Sequence, residues 1–356
     1  MILLAENFYG LTTALATTKF SGFTAAGITV SGSRFPVYSS GIIMPPDTDN
    51  WTQLDPAYVI YAITGSGTVY SGIAFKMQDT SAANSFSLFQ FRQAGTIQLD
   101  LTINVSELNL RNGGGAVLGT YGIPGFATSN WYYIEMGAVI SNTSGSCEVR
   151  LNGSTVISAS NVDTQNTAIP LVTDILVGRT RHNGLGYYSG LISASDWYIC
   201  NSQGSNPRTN TFLGDIRIVS LNPSQSGDQV DFKPLSSSLN SALMLDDGNL
   251  PDGDLTYVSA SASGSMDLYR MFGYTGTSTY IYGVGVNAYV RKDDAGVRDL
   301  ALAVKSGSTV AYSPSQSITN NYTWNSYVFD TNPNTSAAWG SLQDAVNSQV
   351  GFKLVG

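Results

Sequence analysis

The chain has 356 residues, a net charge of −8, 42% hydrophobic residues and only 12% charged ones. Its length suits two domains, and its apolar share supports real cores, which excludes a wholly disordered chain. Its few Lys and Arg, 17 in all, are scattered, which excludes nucleic-acid binding through a clustered cationic face.

No stretch approaches the roughly 18 apolar residues of a membrane span, so membrane insertion is not expected. The opening MILLAENFYG has no basic n-region, so no secretory signal peptide is expected. The 37 Gly and 20 Tyr, with abundant Ser, Thr and Asn, suit short strands joined by tight turns.

In chain order, residues 1–60 hold short apolar-alternating pieces cut by Gly, Pro and Asn. Strand patterns follow at 69–79, 85–91, 97–105 and 107–110. The most informative stretch is 131–160, WYYIEMGAVISNTSGSCEVRLNGSTVISAS. Tyr132, Ile134, Met136, Ala138 and Ile140 share an apolar face, and Trp131, Tyr133, Glu135, Gly137 and Val139 share a mixed face expected to be wet. Asn152-Gly153 then predicts a two-residue hairpin turn, which sets Arg150 opposite Thr155 and Val149 opposite Val156.

Strand patterns at 171–178 and 195–200 close a first all-β sandwich over 1–220. Residues 221–254 are polar and turn-rich and read as a linker or crossover. Strands at 256–262, 266–272, 283–291, 298–305, 323–330 and 350–355 predict a smaller β-sandwich over 255–356. Trp339, Leu342 and Val346 share a helical face, so one short helix is expected at about 336–348, capped by Asn334 or Thr335.

Catalytic constellations are absent from this pattern. A retaining glycosidase needs paired carboxylates about 5–5.5 Å apart. The chain has four Glu (Glu6, Glu107, Glu135 and Glu148), no E-x-D-x-x-E, and Tyr133 and Gly137 beside Glu135 on its face. The one histidine, His182, lies next to Arg181 and near Arg179 and reads as a surface residue. Gly113-Gly114-Gly115 lacks the lysine of a phosphate loop. The chain is therefore expected not to be an enzyme. Cys147 and Cys200 fall in strand patterns and read as buried thiols.

Two binding sites are open. Asp246, Asp247, Asp252 and Asp254 fall in DDGNLPDGD, where oxygen-rich turns suit Ca²⁺, although the spacing is not that of a twelve-residue calcium loop. A solvated acidic linker is the plainer reading, and no other cofactor is implied. Trp51, Tyr187, Tyr188, Trp197 and Tyr198 offer aromatic surface for a glycan or partner, with Tyr187 and Tyr188 in the loop-like GLGYYSGL.

The 131–156 stretch resembles the laminin-G/concanavalin A-like lectin and glucanase sandwiches. There a Trp-led strand carrying Glu is followed by an alternating strand that ends in Asn-Gly. FSLFQFRQAGTIQLDLTINVSELNL fits before it and DILVGRTRHNGLGYYSGLISASDWYICNSQGS after it. The latter, with TNTFLGDIRIVSLNPS, is similar to versions in virion proteins of tailed bacteriophages. Residues from 252 onward resemble the C-terminal half of the same phage proteins, where Asp-Pro-x-Thr-x-x-x-Trp recurs. Thr331-Asn332-Pro333-Asn334-Thr335 and Trp339 stand in its place here.

The resemblance implies an oligomeric structural subunit on the outside of a phage head, neck or tail, located in the virion and packed on other virion proteins. A lectin-like module that binds a host-surface glycan is the alternative. Many laminin-G-like domains hold Ca²⁺ at the sandwich rim, and the resemblance does not map those ligands onto this chain.

Overall fold

A computed structural model describes residues 1–8, 11–23, 29–30, 34, 42–44, 57–77, 85–104, 106–123, 125–127, 130–180, 192–235, 245, 250–278 and 280–356. The chain divides into two units. The first comprises residues 5–202 and 211–218, and the second residues 1–4, 203–210 and 219–356. Among the described residues no helix is long and apolar enough to cross a membrane.

The first unit is an antiparallel, concanavalin-like sandwich. Sheet I runs through Ser154–Val162, Gly145–Leu151, Tyr132–Val139, Thr68–Met77, Ile192–Asn201, Ile42–Met44 and Thr29–Val30. Sheet II runs through Val117–Gly122, Glu107–Asn112, Thr96–Ile103, Phe86–Gln93, Val172–Thr180, Ala57–Ser66 and Gly22–Phe23. The two meet where Tyr61 of sheet II lies 6.4 Å from Trp197 of sheet I, edge to face. Phe89, Phe91, Leu99, Leu101 and Leu110 fill the sheet II side, and Ile134 and Met136 face them from sheet I.

The 131–160 stretch folds as the expected hairpin. Asn152 and Gly153 take φ +50° and +80°, the positive values that a tight hairpin turn needs. Arg150 sits opposite Thr155, but Val149 faces Ile157 rather than Val156. A bulge absorbs Val156 as an extra residue, a shift that alternation alone does not signal. Gly153→Val is expected to destabilise this unit by about 1–2 kcal/mol, because a β-branched residue resists positive φ. Urea unfolding of the variant against the parent measures it.

The mixed face is not wet. Tyr133 and Glu135 are each 0% exposed. Residues 211–218 lie across it, with Phe212 packed on Tyr70 and Leu213 and Gly214 hydrogen-bonded to side chains from sheet I. Trp197 and Tyr198 are also fully buried, so they serve the core and not a surface platform. A helix absent from the sequence-based expectation spans Thr13–Lys19, with Thr12 accepting from the amide of Leu15 as its cap. The buried ion pair Lys19–Glu6 lies beside it.

In the second unit, a sheet runs through Pro223–Val230, Met266–Met271, Gln349–Leu354, Asp299–Ser306 and Thr309–Tyr312. A ribbon of Val284–Val290 and Thr323–Phe329 packs on it, and Val286, Phe329, Leu300, Leu302, Val304 and Trp339 form the shared core. Part of 221–254 is thus strand rather than linker. Pro223–Val230 is an edge strand whose polar SQSGDQ side chains hide its backbone pairing, with Pro at the one position where a missing N–H is harmless.

The helix near the C-terminus spans only Leu342–Val346 and is capped by Ser341, not by Asn334 or Thr335. Asn332 instead pairs with Ala337 in a tight turn, and Ser336 takes φ +55°. Trp339 therefore precedes the helix and enters the core from a loop.

Candidate functional site

Trp51, Tyr187, Tyr188, Asp246, Asp247 and His182 lie outside the described residues. Asp252 and Asp254 are described, and both are engaged. Asp252 accepts from the amide of Thr256 at 3.0 Å and from its hydroxyl at 2.8 Å, closing a turn. Asp254 accepts from Arg291 Nε at 3.0 Å and Nη2 at 2.9 Å and from Tyr322 Oη at 2.8 Å. The Tyr322 hydroxyl and the Arg291 guanidinium hold this carboxyl below its ordinary range. Among the described residues no group of three His, Cys, Asp or Glu is placed to hold a metal. Cys147 and Cys200 are both buried and not joined in a disulfide; the Cys200 thiol donates to the carbonyl of Thr211 at 3.2 Å, and burial pushes the Cys147 thiol up to about 11.

The structure brings together an acid–tyrosine cluster on the outer side of sheet I. Glu135 Oε1 accepts from Tyr198 Oη at 2.5 Å and from the amide of Gly214 at 2.8 Å. Asp196 Oδ1 accepts from the amide of Ile218 at 2.9 Å, and the main-chain carbonyl of Asp196 accepts from Tyr133 Oη at 2.9 Å. Arg34 pairs with Asp215 and lies 5.6 Å from the Tyr133 ring centre.

The cause is local. The strand register slips between Ser195 and Tyr198, and Asp196 takes φ +52° there. The slip turns Trp197 inward, where its Nε1 donates to Ser71 at 3.0 Å, and leaves Asp196 and Tyr198 beneath residues 211–218. Glu135 Oε2 and Asp196 Oδ2 are buried without hydrogen bonds. Burial pushes Asp196 up to about 6 and raises Glu135 above its ordinary value, against the opposing pull of the Ile218 and Gly214 amides. Both carboxyls are 0% exposed, which fits them to anchor the 211–218 segment rather than to meet a substrate.

The outer face of sheet II differs in kind. Alternation in LFQFRQ, LDLTI and LNLRN sends the apolar residues inward and one polar set outward. Cross-strand register aligns Thr120, Asn109 and Thr102 in one row and Arg111, Asp100 and Gln90 in the next. Thr120 donates to Asn109 at 2.7 Å, Asn109 to Glu107 at 2.9 Å, and Ser87 to Asp100 at 2.8 Å. Arg92 lies 3.2 Å from Asp174. Hydroxyl, amide, guanidinium and carboxylate groups thus cross four neighbouring strands, but Ser87 and Asp100 are fully buried and Thr102, Gln90 and Asn109 nearly so, so these groups satisfy one another inside the unit. The sequence carried this signal in the polar members of the alternating strands.

No protein-family model matches the chain, and no curated protein does. Among solved structures, the chain is similar to the alginate lyase Aly36B, at 12% identity and a TM-score of 0.39 over 55% of this chain and 95% of that one. It is similar to the cellulose-induced protein Cip1 at 17% identity and a TM-score of 0.39, over 55% of this chain and 96% of that one. A heptameric SAP-like pentraxin from Limulus polyphemus is 16% identical at a TM-score of 0.34, over 50% of this chain and 88% of that one. These likenesses concern the fold alone. They correct one expectation: alginate lyases stand among the similar structures, so the missing glycosidase motif does not remove the chain from the enzymes.

Proposed function

We propose that the chain is a structural subunit on the outer surface of a tailed-bacteriophage particle, with its second unit as an assembly face. The observation that carries this reading is where apolar surface is left uncovered. Val297 is 77% exposed, Leu255 74% and Tyr280 56%, and Leu235, Val230 and Phe272 stand nearly half exposed in the same unit. The first unit exposes only Val117, Val139 and Ile169 to a comparable degree among its described residues. Isolated exposed apolar residues are ordinary, but their number in this unit supports a role in packing against other subunits. The resemblance of the sequence to phage virion proteins supports the same reading.

Mass spectrometry of purified particles, with a gold-labelled antibody to the chain, tests it. The chain is expected in stoichiometric amounts on the head, neck or tail, and its absence from purified particles overturns the reading.

A further inference from the structure

The second unit holds a cleft of about 330 Å³, lined among others by Ser263, Ala301, Tyr312, Ser315, Lys353 and Val355. Its origin lies in the sheet. Leu300, Leu302, Val350 and Leu354 point to the core, so the alternate residues of the same strands face out. Those alternates are small at the centre, where Ala301 pairs with Lys353 and Ala303 with Gly351. Side chains of this size leave a depression, and the longer Lys353 and Tyr312 rise from it. Gly351 is fixed in this role, because a Cβ there would lie 1.9 Å from the carbonyl oxygen of Asp267.

The chemistry around the depression is specific. Lys353 Nζ lies 5.1 Å from the centre of the Tyr312 ring. No carboxylate among the described residues pairs with it, whereas Arg270 and Lys305 in the same sheet both pair with Asp228. Asp299, the acid on the strand beside Lys353, is instead held by the hydroxyl of Ser317 at 2.6 Å. Tyr312 is 42% exposed, and its ring is steadied by a hydrogen bond from its hydroxyl to Met266 Sδ at 3.3 Å. Val355 adds an exposed apolar wall, and Ser315 an exposed hydroxyl. The cleft therefore offers one uncompensated cation, one aromatic ring, an apolar wall and a hydroxyl, within a volume at the small end of ligand pockets.

We propose that this cleft binds a single carboxylate-bearing sugar ring, with Lys353 as counter-ion to the carboxylate and Tyr312 and Val355 against the ring's apolar face. A ring with hydroxyls on its edges and C–H bonds on its faces matches such a mixed wall, and its carboxylate gains a charge-assisted hydrogen bond from the ammonium. The site is separate from the polar rows of sheet II and stands or falls without them.

Amide NMR titration of the full chain at low salt tests the proposal, with glucuronic acid, N-acetylneuraminic acid, glucose and inorganic phosphate as probes. At least one acidic sugar is expected to bind and to shift the amides of residues 263–264, 312, 313, 315 and 353–355. Lys353→Gln is expected to weaken that binding about tenfold, and Lys353→Arg to restore most of it. A thermal melt of each variant separates lost binding from lost folding. Glucose or phosphate binding as tightly as the acidic sugars overturns the proposal, as does an unchanged affinity in a folded Lys353→Gln.

Discussion

Asp196→Asn is expected to stabilise the first unit by up to about 3 kcal/mol at pH 7.5 and to leave it nearly unchanged at pH 4. The carboxyl is 0% exposed, and burial raises it from 3.8 to about 6 in the folded chain. Below pH 3.8 it is neutral in both the folded and unfolded states and has no effect on stability. As pH rises toward 6 the unfolded chain releases the proton first, and stability falls. Above about 6 the full penalty is present, and 2.2 units at 1.36 kcal/mol each give about 3 kcal/mol.

The charged groups facing Asp196 are Arg34, Asp215 and Arg217, and their effects already enter its raised value. Asparagine keeps the oxygen that accepts from Ile218, and it tolerates the φ of +52° at this position. Amide exchange along Ile192–Asn201, compared between variant and parent at each pH, reads the difference. Equal protection at pH 7.5 would show that the carboxylate is compensated by partners other than these three.

That cluster also shows where sequence reading stops. The hairpin around Asn152-Gly153 was legible because turn chemistry and alternation are local. Alternation reported that Tyr133 and Glu135 share a face, but it cannot report that Gly214, some eighty positions later, lies on that face. Sequence-distant cover of this kind turned an expected wet surface into a buried one. The Thr13–Lys19 helix failed for a different reason: TALATTK has no apolar stripe and three threonines, so neither periodicity nor propensity announces it. The polar rows on sheet II were fully present in the strand patterns, since Gln90, Asp100 and Asn109 occupy the outward positions of strands whose inward positions are Phe and Leu. The array needs only the cross-strand register, which strand patterns one at a time do not supply. The aromatic residues first favoured for partner contact divide between the core and segments outside the described residues. The cleft beside Lys353 has no motif at all, because it consists of small residues on one strand framed by long ones on its neighbours.

Trp339→Ala is expected to destabilise the second unit by about 3–5 kcal/mol, enough to leave it largely unfolded if it has the marginal stability of an ordinary domain. Trp339 is 1% exposed, and its Nε1 donates to the carbonyl of Phe329 at 2.8 Å. Removing the ring opens a cavity among Phe329, Leu302 and Val350 and leaves that carbonyl without its donor. The residue reaches the core from a loop tightened by the Asn332–Ala337 pairing, so no helical backbone holds the neighbouring chain in place once the ring is gone. Trp339→Phe separates the two contributions, because it keeps most of the volume and loses the N–H. A loss of about 1–2 kcal/mol is expected for it. Protection of the Gln349–Leu354 amides is the measurement. If Trp339→Ala leaves these amides as protected as in the parent, the ring is not the keystone of this core, and the sheet and ribbon hold together through Leu302, Val304 and Phe329 alone.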